Sequence, residues 1–168
     1  KRCCGILFCA TVRRLVARAA LIAGLSSFAG MSLASHARKA SGAMKHAWLA
    51  VAAVSVGFGV WSTHFVAMLA YAIGMPTGYD VMTTLISLVV AICFAGAGFW
   101  WATVGARRSD AALGGAIAGV GIAAMHYVGM SALKMGGAII WDPALVSSSL
   151  LLGITFGAMS LFFVPIGH

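Results

Sequence analysis

Acidic residues are almost absent from this 168-residue chain, which has three aspartates and no glutamate. The three, Asp80, Asp110 and Asp142, all lie at breaks between long apolar runs. Charged residues make up only 8% of the chain, whereas soluble globular domains carry about 25%. Together with a mean hydropathy of +1.02, this scarcity of charge excludes a water-soluble domain and indicates a polytopic membrane protein.

Cysteines are also few, and their spacing excludes a disulfide framework. Cys3, Cys4 and Cys9 crowd the first ten residues, and Cys93 stands alone in an apolar run. The adjacent pair lacks the spacing of a metal knuckle, so we interpret all four as unpaired thiols. Residues 1–14 have a basic start but no small-residue cleavage site. We leave that segment unassigned and treat 15–168 as one transmembrane domain.

Five apolar runs predict five membrane-spanning helices, since a span needs about 20 apolar residues. The runs cover residues 19–35, 47–72, 81–104, 111–133 and 144–166. In lipid every backbone polar group must be satisfied within the protein. The predicted fold is therefore an all-α integral membrane bundle of about five helices, with no β-sheet.

Basic residues account for the net charge of +8 and lie at the N-terminus and in the loops. This placement indicates contacts with the lipid bilayer and its anionic headgroups, and it does not indicate nucleic acid. Under the positive-inside rule, the basic loops 36–46 and 105–110 are predicted to be cytoplasmic. Loops 73–80 and 134–143 then face outward. The basic N-terminus opposes this orientation.

An internal repeat carries the chemistry of the chain. Its two copies are residues 57–70 and 119–132. Two glycines, a histidine, an aromatic residue, a valine, a methionine and an alanine recur in register. His64 is followed by Met68, and His126 by Met130, and the i, i+4 spacing puts each imidazole and thioether on one helix face. Polar side chains are costly inside a membrane, which favours a site over coincidence.

The two copies occupy the second and fourth runs, so their helices run in the same direction. Both histidines then lie roughly 10–12 Å inside the same membrane face. Neutral imidazole and thioether suit a soft ion, above all copper. The predicted ligands are His64, Met68, His126 and Met130, with Met125 and Met75 as additional candidates. No carboxylate lies near either copy, which argues against calcium, magnesium and a carboxylate proton relay.

Other interpretations of the repeat stay open. It is a packing element if the histidines only bond across helices and the methionines only fill gaps. Two histidines from different spans also suit a haem-binding membrane electron carrier. A copper or small-solute transporter would need broken helices near the midplane. An enzyme lacks support, because no nucleophile–base pair or acid lies near the histidines.

Residues 125–128, Met-His-Tyr-Val, resemble the four-residue signature of the MHYT domain, a bacterial integral-membrane sensor module. Residues 61–71 are similar to the first repeat of that family, and residues 74–80 to its first outer loop. The resemblance covers roughly residues 12–160. Thr63 stands where the signature has methionine, and Val128 where it has threonine.

The resemblance implies a sensor in the bacterial inner membrane that binds copper through its motif His and Met residues. The implied signals are oxygen, carbon monoxide, nitric oxide or redox state. Such modules are often fused to cytoplasmic GGDEF and EAL domains of cyclic di-GMP signalling, and a second copy of the chain is another candidate partner. The family usually has a third His-Met copy in a sixth span. We therefore expect this chain to be a C-terminally incomplete MHYT domain and not an enzyme.

Overall fold

A computed structural model describes residues 2–71, 78–105, 107–134 and 140–163. Five helices make up most of these residues: α1 Arg2–Lys39, α2 Gly42–Tyr71, α3 Val81–Val104, α4 Arg108–Ser131 and α5 Pro143–Phe162. All five are long and apolar enough to cross a membrane. The predicted helical membrane bundle is confirmed. It gains one short element, a two-residue antiparallel ladder between β1 Gly78–Tyr79 and β2 Leu133–Lys134.

The first helix departs most from the sequence prediction. Its apolar run starts at residue 19, but α1 is helical from Arg2. Arginine is a good helix former, and Arg13, Arg14 and Arg18 are all exposed on this helix. Long basic side chains can reach the membrane surface while their stems stay in lipid. The helix therefore continues through residues that a hydropathy pattern treats as a boundary.

Each of the three aspartates acts at a helix N-terminus. Asp80 precedes α3 and accepts a hydrogen bond from the backbone N–H of Thr83. Asp142 precedes α5 and accepts from the backbone N–H of Ala144. Asp110 lies in the first turn of α4 and accepts from the N–H of Arg107. Carboxylates satisfy the free N–H groups there and complement the helix dipole, so every acidic residue has a structural role.

The helices pack in chain order. Each one lies against the next, from α1 on α2 to α4 on α5, whereas α1 and α5 do not form a comparable packed pair. Successive helices alternate in direction, so α2 and α4 run the same way. We call the opening between the first and last helices the α1/α5 seam. The bundle is consequently an open arc rather than a closed ring.

Glycines bring α4 and α5 into close contact. A methyl group added to Gly119 would overlap the carbonyl of Gly153, and one added to Gly115 would overlap that of Gly157. Small residues four apart let membrane helices approach closely where no hydrophobic effect drives association. This contact holds α5 onto the bundle, although α5 has no buried residue of its own.

Candidate functional site

The two histidines of the repeat lie side by side inside the bundle. The Nδ1 atoms of His64 on α2 and His126 on α4 are 3.3 Å apart. Their ring centroids are 5.0 Å apart, and the ring planes meet at 84°. Since α2 and α4 are parallel, equivalent repeat positions reach the same depth. The structure therefore brings together the two residues on which the sequence prediction depends.

Packing fixes the orientation of the His64 ring. Its Nε2 is buried and has no hydrogen-bond partner among the described residues. Gly129 lies so close that a Cβ at that position would be 2.9 Å from this nitrogen. Phe65 contacts the ring edge to face, with centroids 5.0 Å apart. The ring is thus held by Gly129, Phe65 and His126 rather than by a backbone hydrogen bond.

A cavity of about 330 Å³ opens beside the histidine pair. Four helices contribute to its wall, namely α1, α2, α4 and α5, so the cavity adjoins the α1/α5 seam. Most of the wall is apolar. The cavity volume falls at the lower end of the range for small-molecule sites, about 300–1,000 Å³. The lining residues are Ala23, Ser26, Ser27, Val60, Thr63, His64, Gly119, Ile122, Ala123, Met125, His126, Tyr127, Ser149 and Gly153.

Hydroxyl groups in the cavity wall mostly direct their protons away from it. Ser26, Thr63 and Ser149 each donate to a backbone carbonyl one turn earlier in their own helix. The hydroxyls of Tyr127 and Ser149 are 2.6 Å apart, and since Ser149 donates elsewhere, Tyr127 is the donor. With these protons already used, the imidazole nitrogens and the hydroxyl of Ser27 are the polar side-chain groups of the wall that remain available to a ligand.

The methionines divide into two groups. Met125, which is only 1% exposed, lines the cavity together with both histidines. Met68 and Met130 are half-buried one turn farther along their helices, and neither belongs to the cavity wall. Met75 lies outside the described residues. Met125, an additional candidate in the sequence, is therefore the methionine that shares the cavity with both histidines.

Above the histidines, the segment that leads into α3 is tied to the end of α4. β1 pairs with β2, and the backbone N–H of Asp80 donates to the carbonyl of Ala132 over 2.8 Å. Lys134 forms an ion pair with Asp80 at 2.9 Å. Hydrogen bonds from Lys134 and from Thr83 lower the pKa of Asp80 to about 2. We call this element the outer clasp, residues 78–80 and 132–134, and it joins the start of α3 to the end of α4, the helix that carries His126.

The donor set fits a soft metal ion. Two nitrogens bound to one ion at about 2.05 Å in tetrahedral geometry lie about 3.3 Å apart, which matches the spacing of the two Nδ1 atoms; the same spacing allows a hydrogen bond between the rings. The described residues contain no group of three or more His, Cys, Asp or Glu side chains that could hold a metal ion, as a zinc site would require. Two imidazoles with a thioether from Met125, which lines the same cavity, would make a mixed nitrogen and sulfur set of the kind that copper(I) accepts.

Sequence reasoning missed three parts of this site. Gly129 lies between His126 and Met130 in the repeat. A glycine at this position could have indicated that the ring of His64 packs closely against α4. The cavity wall contributed by Ser26 and Ser149 comes from α1 and α5, outside either copy. The outer clasp joins loop residues 54 positions apart, and no local pattern reports such pairing.

The described residues form a helical membrane bundle in which the two copies of an internal repeat bring a histidine pair together. The MHYT family, described as a bacterial signalling protein N-terminal repeat, matches residues 57–115 and 119–168. The chain belongs to this family. The two matched copies each contain one of the paired histidines.

Relatives with assigned names are bacterial signalling proteins. The chain is 41% identical over 140 residues to an uncharacterized signaling protein of Caulobacter vibrioides, covering 83% of this chain and 17% of that protein. It is 38% identical over 149 residues to the bifunctional diguanylate cyclase/cyclic di-GMP phosphodiesterase MucR of Pseudomonas aeruginosa, covering 88% of this chain and 22% of MucR. With the cyclic di-GMP phosphodiesterase NbdA of the same organism, identity is 32% over 157 residues, covering 90% and 19%.

The chain thus spans about a fifth of the length of these relatives. The enzyme activities in these names refer to the full-length relatives. No solved structure matches the chain.

Proposed function

We propose that this chain is a sensory domain of the bacterial inner membrane whose receptor is a copper ion held by His64 and His126. Met125 supplies a sulfur ligand, and the adjoining cavity admits a diatomic gas or registers a change of redox state. The observation that carries the proposal is the 3.3 Å separation of the two Nδ1 atoms. Bound copper would supply an open coordination position or a one-electron couple.

The same geometry weighs against haem. Two axial histidines would stand about 4 Å apart on opposite sides of a porphyrin, with the macrocycle between them. Here the two facing nitrogens are only 3.3 Å apart, which is closer than a porphyrin between them would allow. A transporter is also less well supported, because α2 to α5 run without the broken segments that usually form a midplane transport site.

A sensor must bind its ligand more tightly in one conformation than in another. One feature of the fold suits this requirement. The outer clasp holds the outer end of α4 against the start of α3, so a change at His126 is more easily relieved toward the opposite end of α4. By analogy with MucR and NbdA, the output we propose is control of cyclic di-GMP synthesis or breakdown by attached GGDEF and EAL domains.

Metal analysis and a visible spectrum of detergent-purified protein test the proposal. We expect about one copper ion per chain and no Soret band, with spectral change on adding nitric oxide, carbon monoxide or oxygen. Replacing either histidine with alanine should remove most of the copper. His36→Ala is a matched control, because His36 is exposed, does not line the cavity, and uses its ring for a hydrogen bond to Ser32 and a contact with Trp48. A Soret band, or full copper in both histidine variants, contradicts the proposal.

A further inference from the structure

One end of the bundle carries a strong surplus of positive charge. Five basic residues lie there, around the α1–α2 and α3–α4 connections: Arg38, Lys39, Lys45, Arg107 and Arg108. Asp110 is the carboxylate at this end, and it is engaged in capping α4. We call this region the basic end. Its charge is far from balanced by the protein itself, so anions from outside will accumulate there.

A small crevice of about 70 Å³ opens at the basic end where α1, α3 and α5 come near one another. Arg38 lines it, and the Nε of its guanidinium is buried without a hydrogen-bond partner among the described residues. A buried hydrogen-bond donor without a partner is costly. No carboxylate among the described residues pairs with this guanidinium, so the crevice presents a cation with an unused donor to whatever occupies it.

A second cation converges on the same place. Thr103, near the end of α3, lines the crevice with Arg38, and its backbone carbonyl accepts a hydrogen bond from the Lys45 ammonium at 3.4 Å. Lys45 comes from α2, so two helices direct positive charge at one residue of a third. Among the described residues, neither Arg38 nor Lys45 is within ion-pair distance of a carboxylate.

The rest of the crevice is apolar. Met31 of α1, Phe99 of α3 and Leu161 of α5 form its wall, and it lies along the α1/α5 seam, where the bundle is open to lipid. A site that combines a guanidinium and an ammonium with an apolar groove matches a molecule with an anionic head and hydrocarbon chains. A free phosphate ion would use only the polar half of this lining.

We propose that the crevice binds the phosphate of an anionic phospholipid, with Arg38 as the main contact. Guanidinium groups bind phosphate oxygens in pairs through parallel N–H bonds, and Lys45 adds a second positive charge. The acyl chains then follow the apolar part of the seam. If the basic end is cytoplasmic, as its loops predict, it faces the leaflet that is rich in anionic lipid.

Native mass spectrometry of the purified chain tests this proposal directly. Protein in neutral detergent is titrated with phosphatidylglycerol or with phosphatidylcholine of the same acyl chains, and lipid adducts are counted on the folded charge states only. We expect selective retention of phosphatidylglycerol. Arg38→Gln should weaken this retention about tenfold, the loss expected for one charge-assisted bond pair. Arg108→Gln, an exposed arginine at the same end, is the matched control and should change it little.

Three results would overturn the proposal. Equal weakening by Arg38→Gln and Arg108→Gln would show diffuse attraction to the basic end without a site. Equal retention of the two lipids would remove the role of the headgroup charge. Full competition by millimolar inorganic phosphate would assign the crevice to a free anion. Arg38→Lys is the control for misfolding of Arg38→Gln. It keeps the positive charge and should retain part of the selectivity for phosphatidylglycerol.

Discussion

Gly129→Ala should damage the copper site while leaving the bundle folded. The added methyl carbon would lie 2.9 Å from His64 Nε2 and 3.1 Å from its Cδ2. Comfortable contacts begin at about 3.5 Å, so the ring must move by roughly 0.6 Å. Gly129 lies in the last turn of α4, where the helical backbone tolerates alanine well.

The expected effects on stability and on metal binding differ in size. Overpacking costs about 1–3 kcal/mol, and the better helix propensity of alanine returns up to about 1 kcal/mol. The net loss of stability is therefore about 0–3 kcal/mol. Metal–ligand distances tolerate only about 0.2 Å of change, and displacing a supported ligand typically lowers metal affinity about 10- to 100-fold.

Competitive copper(I) titration against a chromophoric chelator measures this affinity, and thermal unfolding in the same detergent measures stability. Gly24→Ala is the matched control, since nothing lies within 4 Å of its Cβ position. It should keep full copper affinity. Unchanged copper affinity in folded Gly129→Ala would refute the inference that packing against this glycine orients the His64 ligand.

Three further outcomes follow from the geometry. Met125→Leu should lower copper affinity more than Met68→Leu, because only Met125 lines the cavity; the reverse order in the same titration would restore the i, i+4 methionines as ligands. The pKa of Asp80 is lowered to about 2, so the Asp80 carboxylate contributes fully to the outer clasp above about pH 4. This contribution is lost only as the pH falls toward 2. An NMR titration in which the chemical shift of the Asp80 carboxyl carbon changes between pH 4 and 7 would contradict this. Cysteines introduced at Ser41 and Thr77 should be labelled from opposite sides of the membrane, and labelling of Ser41 from outside alone would reverse the predicted orientation.

Periodicity and charge predicted the helices well because a membrane imposes its own length and polarity on each span. The α3 run and helix share the bounds 81–104. Hydropathy failed at α1, because helix formation continues through exposed arginines that lie at the edge of the membrane. The run at 144–166 also extends beyond the end of α5 at Phe162, with residues 164–168 outside the described part of the chain.

The histidine pair was predictable for a different reason. A 62-residue repeat that spans two helices returns the chain to the same depth and direction, which brings His64 and His126 to one level. The i, i+4 spacing of histidine and methionine does not determine which thioether lies beside the histidines, because i, i+4 neighbours share a helix face but differ in depth by one turn. The choice of Met125 depends on how α4 rotates against α2 and α5, which is a tertiary property.

X-ray absorption spectroscopy at the copper edge of the loaded chain identifies the atoms that bind the metal. We expect two nitrogen ligands at about 2 Å and at least one sulfur at about 2.3 Å. The nitrogen shell should be reduced in His64→Ala or His126→Ala, and the sulfur shell should be reduced in Met125→Leu. A spectrum with only oxygen ligands, or one that is unchanged in both histidine variants, would show that copper is bound elsewhere and that the paired histidines are a packing element.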